Sequence, residues 1–237
     1  MKTIIFDLGE TLLYFRDRAL TGDIENESNY CINEVLDYLN KRGVSQIKFK
    51  DIKNEINKLR IKKYKNDIEI HIDNLGSSLS EIYGLNKKIT KDIIHIFSSK
   101  YFDSLYLDPN THEVLSKLSK TYKLGILSNS PFGIDSQYSI AAMIQFDILK
   151  YFNFYGFSVD FGVRKPNAKF FDLVLSKYHI KKNECLFIGN DEKNDIEGAR
   201  MAGIDKVIKI KQLDEEDSTG TVLSEVPEYI LNNFINF

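Results

Sequence analysis

The chain has little cysteine, no strong excess of charge of either sign and no long hydrophobic run. Only two cysteines, Cys31 and Cys185, occur in its 237 residues, and they lie far apart with no metal-ligand spacing. Cys185 falls in an apolar, strand-like run, where a buried thiol behaves as a small hydrophobic side chain. This pattern argues against a disulfide framework and favours a reducing compartment.

The charges nearly cancel, because 32 basic and 34 acidic residues give a formal net charge of -2. Binding to nucleic acid requires a far more basic face, so we expect no nucleic-acid partner. The most basic segment, Lys58–Lys65, follows a helical pattern and therefore predicts a solvated helix face.

No apolar run approaches the length that a bilayer requires. The N-terminal residues enter a strand pattern directly, without the basic region and apolar core of a signal peptide. We therefore expect a soluble, cytoplasmic protein with no membrane partner. Apolar residues make up 43% of the chain, which is enough to bury a core domain and a smaller inserted one.

Short apolar runs alternate with helical patterns and predict an α/β fold. The runs that read as buried strands are Thr3–Phe6, Tyr122–Leu127, Glu184–Ile188 and Lys206–Ile210, with a weaker one at Asn153–Phe157. The helical patterns between them are Thr111–Lys120, Ser136–Tyr151, Ala168–Tyr178 and Asp195–Ala202. This order predicts a Rossmann-like core of three layers, with helices on both faces of a central parallel sheet.

The segment from about Leu20 to Phe102 has a different character. It carries helical periodicity, for example at Cys31–Leu39 and Ile52–Ile61, and shows no convincing strand. We therefore predict a core domain at residues 1–16 and 103–237 and an all-helical cap domain at residues 17–102. The turn signal Asp108-Pro109 marks the return to the core. The acidic stretch Asp214–Asp217, with Ser218 and Gly220, predicts a surface loop.

Polar residues that suit one reaction follow several of the predicted strands. They are Asp7, Gly9, Glu10 and Thr11, then Ser128 and Asn129, then Lys165, and finally Asn190, Asp191 and Asp195. Ligands of parallel sheets bind outside the carboxyl ends of the strands, so these residues are expected to converge. Carboxylate oxygens suit Mg²⁺, and a lysine with a hydroxyl suits a phosphate dianion.

Four segments together resemble the haloacid dehalogenase (HAD) superfamily, in the branch with a helical cap after the first strand. They are FDLGETL near the N-terminus, ILSNS in the middle, GVRKPNAKFF, and FIGNDEKNDIEGARMAGI. Each segment alone is a weak signal, but all four occur in the order and spacing of that family. The resemblance spans essentially the whole chain.

The resemblance implies a role for each matching residue. Asp7 is the implied nucleophile, which forms an aspartyl-phosphate and binds Mg²⁺ with one oxygen. The carbonyl of Gly9 also faces the metal, and Asp191 and Asp195 hold it directly or through water. Ser128 binds a phosphoryl oxygen, and Lys165 neutralises the nucleophile and the phosphoryl group. Asn129 and Thr11 complete the expected substrate-binding loops, with Thr11 as support for the first loop.

The chain departs from the family pattern at two positions. The family's phosphatases usually carry a second aspartate, which protonates the leaving group, where this chain has Gly9. Glu10 is adjacent, but neighbouring residues on extended backbone face opposite ways, which argues against it as a substitute. The sequence also has GND where the family commonly has GD. Either Asn190 or Asp191 then occupies the ligand position, and we favour Asp191 because an anionic oxygen suits Mg²⁺ better.

Several of these residues have simpler interpretations. Asp7 is a common strand-ending turn residue, Asn129 shapes loops, and Asp195 can cap the helix that follows it. Residues after the first loop can contact substrate, namely Tyr14, Phe15 and Arg16. The four histidines have no ligand spacing and are expected at the surface or in packing: His71, His95, His112 and His179.

The predicted function is Mg²⁺-dependent hydrolysis of a small phosphorylated metabolite under a closing cap. The missing acid predicts a slow enzyme or substrates with good leaving groups. Two alternatives remain open: a catalytically weak binding or regulatory protein, which Gly9 favours, and a 2-haloacid dehalogenase. The acidic Asn190–Asp195 cluster argues against the dehalogenase, which has no use for a magnesium site.

Overall fold

The computed structural model describes residues 2–15, 25–211 and 220–234. Its central sheet contains the strands β1 (Thr3–Phe6), β4 (Lys123–Ser128), β5 (Phe154–Phe157), β6 (Cys185–Gly189) and β7 (Lys206–Lys209). They are parallel and lie in the order β5-β4-β1-β6-β7. All five predicted strands are therefore present, each within one residue of its expected ends.

Ten α-helices are present in the described part of the chain. They are α1 (Glu25–Lys41), α2 (Phe49–Asn66), α3 (Asp73–Tyr83), α4 (Lys87–Asp103), α5 (Thr111–Ser119), α6 (Ser136–Gln145), α7 (Ser158–Phe161), α8 (Ala168–Lys177), α9 (Gly198–Met201) and α10 (Val226–Asn233). None of the helices in this part of the chain combines the length and apolarity that crossing a bilayer requires.

Alternating residues of β1 build the two apolar faces of the sheet. Ile4 and Phe6 pack in one cluster with apolar residues of α5, α6 and α10. Ile5 points the other way and packs in a second cluster with residues of α8 and α9. The sheet is therefore covered on both faces, which confirms the three-layer α/β fold.

A third apolar cluster belongs mainly to helices α1 to α4. Its buried residues include Ile32, Val35, Ile52, Leu79 and Phe97, and Ile134 joins it from the loop after β4. The helical segment thus has an apolar core of its own. The exact domain boundaries stay a prediction.

A two-stranded antiparallel sheet flanks this helical segment, and the sequence did not predict it. Strand β2 (Leu13–Phe15) pairs with β3 (Leu105–Leu107). Each strand is only three residues long, which is too short for hydrophobic alternation to reveal it. The pairing holds together the two ends of the segment that contains the helices.

Two predicted helices end or begin elsewhere. The helix expected at Ser136–Tyr151 stops at Gln145, because Asp147 adopts left-handed backbone with φ 54°, and only a short 3₁₀ turn at Leu149–Tyr151 follows. The helix expected at Asp195–Ala202 starts earlier, as a π-helical turn at Glu192–Glu197 that leads into α9.

The expectation of a fully solvated face at Lys58–Lys65 was wrong for Lys63. Lys63 is buried and forms an ion pair with Glu69, whereas Lys58 remains largely exposed. Charge runs alone do not reveal which lysine meets a carboxylate from the segment that follows the helix. The acidic stretch Asp214–Asp217, with Ser218, lies outside the described residues, as does Arg16.

Candidate active site

The polar residues that follow β1, β4 and β6 line one cavity of about 630 Å³ at the carboxyl edge of the sheet. Its lining includes eight of the nine predicted site residues: Asp7, Gly9, Ser128, Asn129, Lys165, Asn190, Asp191 and Asp195. The ninth, Thr11, is buried beside it and donates a hydrogen bond from its hydroxyl to Asn190 Oδ1 at 3.3 Å. Loops that are distant in sequence therefore meet at one place.

Lys165 lies between two carboxylates at this site. Its Nζ donates hydrogen bonds to Asp7 Oδ1 at 2.6 Å and to Asp195 Oδ1 at 2.5 Å. The side chains of all three residues are at least nine-tenths buried. Two carboxylates around one ammonium leave a net negative charge in a region where water screens little.

The buried charges shift one another's protonation. Burial opposes the charged form of Lys165, but the charges of Asp195 and Asp7 prevail and raise the pKa of Lys165 above its ordinary value. Burial raises the pKa of Asp195 to about 7, and the neighbouring Asp7 carboxylate adds to the rise while Lys165 lowers it. Lys165 is therefore held as a cation.

Asn129 fixes the backbone of Lys165. Its Oδ1 accepts a hydrogen bond from the Lys165 backbone N–H at 2.8 Å, and its Nδ2 donates to the Lys165 carbonyl at 3.1 Å. The oxygen and the nitrogen of the Asn129 side-chain amide are thus both hydrogen-bonded within the protein. Asn129 lines the cavity, but these contacts indicate a positioning residue for Lys165, and its direct contact with substrate stays a prediction. Ser128 is buried, ends β4 and lines the same cavity.

The segment after β6 folds so that the Asp195 carboxylate lies against the backbone of Asp191. The Asp195 Oδ2 atom accepts a hydrogen bond from the backbone N–H of Asp191 at 3.0 Å. A Cβ atom at Gly189 would lie only 2.4 Å from that same oxygen, so this position requires glycine for close approach.

Asp191 itself caps the π-helical turn that follows. Its Oδ1 accepts from the Asn194 backbone N–H at 2.8 Å, and its Oδ2 accepts from Asn194 Nδ2 at 3.0 Å. The residue is exposed, whereas Asn190 is half-buried beside Thr11. The choice between Asp191 and Asn190 as the metal ligand stays a prediction.

The loop after β1 has open space at Gly9, the position where phosphatases of the resembled family usually carry a second aspartate. A Cβ atom built at Gly9 meets no other atom within 4 Å, so the space beside Asp7 is open. Glu10 also lines the cavity, and its backbone is left-handed, with φ 56°. The argument that extended backbone turns Glu10 away was therefore wrong. One of its carboxylate oxygens accepts from the Phe15 backbone N–H at 3.3 Å.

Two residues suggested as substrate contacts are packed elsewhere. Tyr14 and Phe15 are both buried; Tyr14 stacks on Tyr106, and Phe15 stacks on Tyr101. Neither lines the cavity. The aromatic residues that do line it, Tyr101 and Phe102, come from the end of α4. Nothing in the sequence pattern distinguishes them from other apolar residues of a helix.

Arg164 is the functional candidate that sequence reasoning missed, although it stands next to Lys165. It is buried and lines the cavity. In the GVRKPN segment the resemblance implies a role for Lys165 alone, and only the structure shows that Arg164 also lines the cavity.

The donor set fits one magnesium ion. In the described part of the chain, no three His, Cys, Asp or Glu side chains converge closely enough to form a metal centre by themselves. Mg²⁺ keeps several waters and needs only one or two carboxylates, however. The carboxylates of Asp7 and Asp195 and the side-chain amide oxygen of Asn190 are oxygen ligands of this kind, and they line the cavity beside Gly9.

Comparisons with known proteins identify the family of the chain. Residues 4–209 match the profile of the family described as Haloacid dehalogenase-like hydrolase. The chain therefore belongs to that family of hydrolases.

Individual relatives carry more specific names. The chain is 26% identical over 238 residues to a glyceraldehyde 3-phosphate phosphatase of Pyrococcus furiosus, covering 97% of this chain and 92% of that protein. It is 27% identical over 139 residues to a phosphoglycolate phosphatase of Vibrio parahaemolyticus, covering 54% of this chain and 58% of that protein.

The similarity extends to the fold of solved structures. A 2-haloacid dehalogenase from Pseudomonas syringae superposes with a TM-score of 0.72 at 18% identity, covering 98% of this chain and 99% of that one. At this identity the similarity establishes the fold and leaves the reaction open.

Proposed function

We propose that this protein is a Mg²⁺-dependent phosphatase that hydrolyses a small phosphorylated metabolite through an aspartyl-phosphate on Asp7. The observation that carries the proposal is the buried Lys165 ammonium, which donates hydrogen bonds to both Asp7 and Asp195 at the carboxyl edge of the parallel sheet. The relatives named as phosphatases of small phosphorylated compounds support the same reaction class.

The chemistry takes two displacements at phosphorus. A carboxylate oxygen of Asp7 attacks the phosphorus, and the bond from phosphorus to the ester oxygen breaks; the leaving oxygen keeps the electron pair and takes its proton from solvent water. Water then attacks the same phosphorus, the bond to Asp7 breaks, and the protons of that water pass to the released phosphate and to the solvent. Lys165 binds the negative charge of Asp7 and of the phosphoryl oxygens, and Ser128 donates its hydroxyl to one of those oxygens.

Asp7, the Gly9 carbonyl, Asp195 and Asn190 are the residues that we expect to hold Mg²⁺. The ion, when bound, supplies positive charge to the phosphoryl oxygens and lowers repulsion between them and Asp7. Asp191 caps the helical turn through its hydrogen bonds with Asn194, and its exposed carboxylate is the alternative ligand to Asn190.

The helical segment between β2 and β3 acts, in this proposal, as the cap that closes over the cavity. Tyr101 and Phe102 at the end of α4 line the cavity and can exclude water from it. The domains are accordingly a core of residues 1–16 and 103–237 and a cap of residues 17–102.

Gly9 favours a second candidate, a protein that binds a phosphorylated ligand and turns it over slowly. The side chain that would protonate the leaving group is absent, and the space for it is open. General acid–base catalysis typically contributes about 10²–10⁴ in rate. We therefore expect fast turnover only with good leaving groups, such as aryl or acyl phosphates.

Release of p-nitrophenolate from p-nitrophenyl phosphate tests the proposal. Activity in Mg²⁺ that stops with EDTA and in the Asp7→Asn variant is the expected result. Asp37→Asn, which removes an exposed carboxylate on α1, serves as the matched control and should retain full activity. Undiminished turnover by Asp7→Asn, or indifference to EDTA, would contradict the proposal, and chloride release from 2-chloropropionate would favour the dehalogenase instead.

A further inference from the structure

A second, smaller cavity of about 160 Å³ adjoins the catalytic one. It lies between the helices α1 and α2 and the loop after β4. Three residues line both cavities: Asn129, Pro131 and Arg164. A water molecule occupies about 30 Å³ in the liquid, so this space suits a small group of a few atoms that extends from the catalytic site.

The charges around this second cavity do not balance. The Glu69 carboxylate forms an ion pair with Lys63 and lies 3.7 Å from Arg164 Nη1, so one anion faces two cations. Ser158 Oγ donates a further hydrogen bond to Glu69 Oε2 at 2.5 Å. Burial lowers the pKa of Lys63 to about 8, and the nearby charge of Arg164 adds to the lowering while Glu69 opposes it. An excess positive charge therefore remains beside the cavity.

Arg164 is the residue that carries this excess. It is only 7% exposed, and its guanidinium lies 4.7 Å from the centre of the Tyr64 ring. Its distance to Glu69 is too long for a hydrogen bond, and within the described part of the chain its side chain makes none. Its N–H donors are not among the fully buried, unpartnered side-chain atoms of the described residues, so they are accessible from the cavities that Arg164 lines and are open to a ligand there. A planar guanidinium matches the two oxygens of a carboxylate.

We propose that the substrate is a phosphate monoester that also carries a carboxylate, and that Arg164 binds this carboxylate in the second cavity. The inference rests on the proposed phosphatase function and specifies its substrate class. With the phosphate held at Lys165, the preceding residue of the same loop presents its guanidinium to the other end of a short molecule. Arg164 is then a specificity-determining residue for the reaction.

A matched pair of substrates tests this assignment. 3-Phospho-D-glycerate and sn-glycerol 1-phosphate have the same configuration at C2 and differ only in a carboxylate against a hydroxymethyl group. We expect the wild-type protein to prefer the acid by about tenfold or more in kcat/KM, as a charge-assisted hydrogen bond typically provides. Arg164→Gln should abolish that preference by raising KM for the acid, with a much smaller effect on the hydrolysis of sn-glycerol 1-phosphate.

Two further variants separate recognition from structure. Lys62→Gln removes an exposed positive charge from helix α2 outside the cavity lining, and should keep the preference. Arg164→Lys keeps the charge but loses the planar guanidinium, and should retain only part of the preference for the acid. Equal losses on both substrates in Arg164→Gln would mean that Arg164 serves the fold alone, and the assignment would be overturned.

The outcome also distinguishes this inference from the proposed function. Turnover of p-nitrophenyl phosphate without any preference for the acid would overturn the inference and leave the phosphatase standing. If no phosphate ester is turned over, the phosphatase proposal fails, and calorimetric binding of the two compounds to the Asp7→Asn variant decides the inference. Tighter binding of the acid, lost in Asp7→Asn/Arg164→Gln, would support it, and equal binding would overturn it.

Discussion

The Lys165 ammonium lies 2.6 Å from Asp7, a residue 158 positions away in the chain, and both side chains are buried. Asp195 binds the same ammonium from the segment after the next strand of the sheet. Burying two carboxylates with one lysine costs desolvation free energy that their attraction repays only in part, so the arrangement favours a functional role over a purely structural one.

Removing the lysine should destabilise the protein strongly when no metal is present. Lys165→Met leaves two buried carboxylates without their cation, and we expect a loss of about 3–5 kcal/mol in the free energy of unfolding. Asp195→Asn in the same chain should recover part of that loss, because one of the two charges is gone. Urea unfolding in EDTA measures both effects, with Lys62→Met as the exposed control. A loss below about 1 kcal/mol in Lys165→Met would contradict the charge arrangement.

Installing an acid at Gly9 should speed the hydrolysis of alkyl phosphates. The position is open around its Cβ, so Gly9→Asp can be accommodated without displacing a neighbour. We expect a gain of about 10² in kcat, at the lower end of what a positioned acid contributes, and little gain with p-nitrophenyl phosphate. Gly9→Asn has nearly the same shape without the acid and is the control. Equal rates for the two variants would show that the leaving group takes its proton from elsewhere, with Glu10→Gln as the next variant to measure.

The Mg²⁺ concentration that the enzyme needs for activity should change more when Asn190 is substituted than when Asp191 is substituted. Asn190→Asp adds a negative charge and can still accept the hydrogen bond from Thr11, so the Mg²⁺ concentration for half-maximal activity should fall about tenfold. Asp191→Asn keeps an acceptor for the Asn194 backbone N–H and should change that concentration by less than about threefold. The opposite ranking in a magnesium titration would restore Asp191 as the ligand.

Stability should rise with pH through the titration of Lys63. Burial lowers the pKa of this lysine from 10.5 to about 8, so the unfolded chain binds more protons than the folded chain between those values. The free energy of unfolding therefore increases with pH across this window, by roughly 3 kcal/mol from this group. Denaturant unfolding between pH 7.5 and 10.5 should show the rise in the wild-type protein and a flatter curve in Lys63→Met. A constant difference between the two proteins would contradict the assignment.

The sequence predicted the core of the fold well because its strands are short, continuous apolar runs that end in distinctive loops. Thr3–Phe6 and the run before Ser128 are examples, and their parallel pairing brought the predicted residues together. The same logic missed β2 and β3, which are too short to show alternation.

The detailed roles of the site residues could not be predicted because they depend on contacts between distant loops. The engagement of Asn129 with the Lys165 backbone is one such contact. The burial of Arg164 and Lys63 around Glu69 is another, since both cations come from segments that look exposed in sequence. The left-handed backbone of Glu10, which lines the cavity, has no sequence signal beyond the loop itself.

The most direct test of the account locates the phosphoryl group on the protein. Wild-type protein is mixed with p-nitrophenyl phosphate and Mg²⁺, quenched in acid during turnover, digested and mapped by mass spectrometry. The account predicts one phosphoryl group on the N-terminal peptide, at Asp7, and none on the Asp7→Asn variant. Sustained turnover with the phosphoryl group on another residue, or on none, would contradict it.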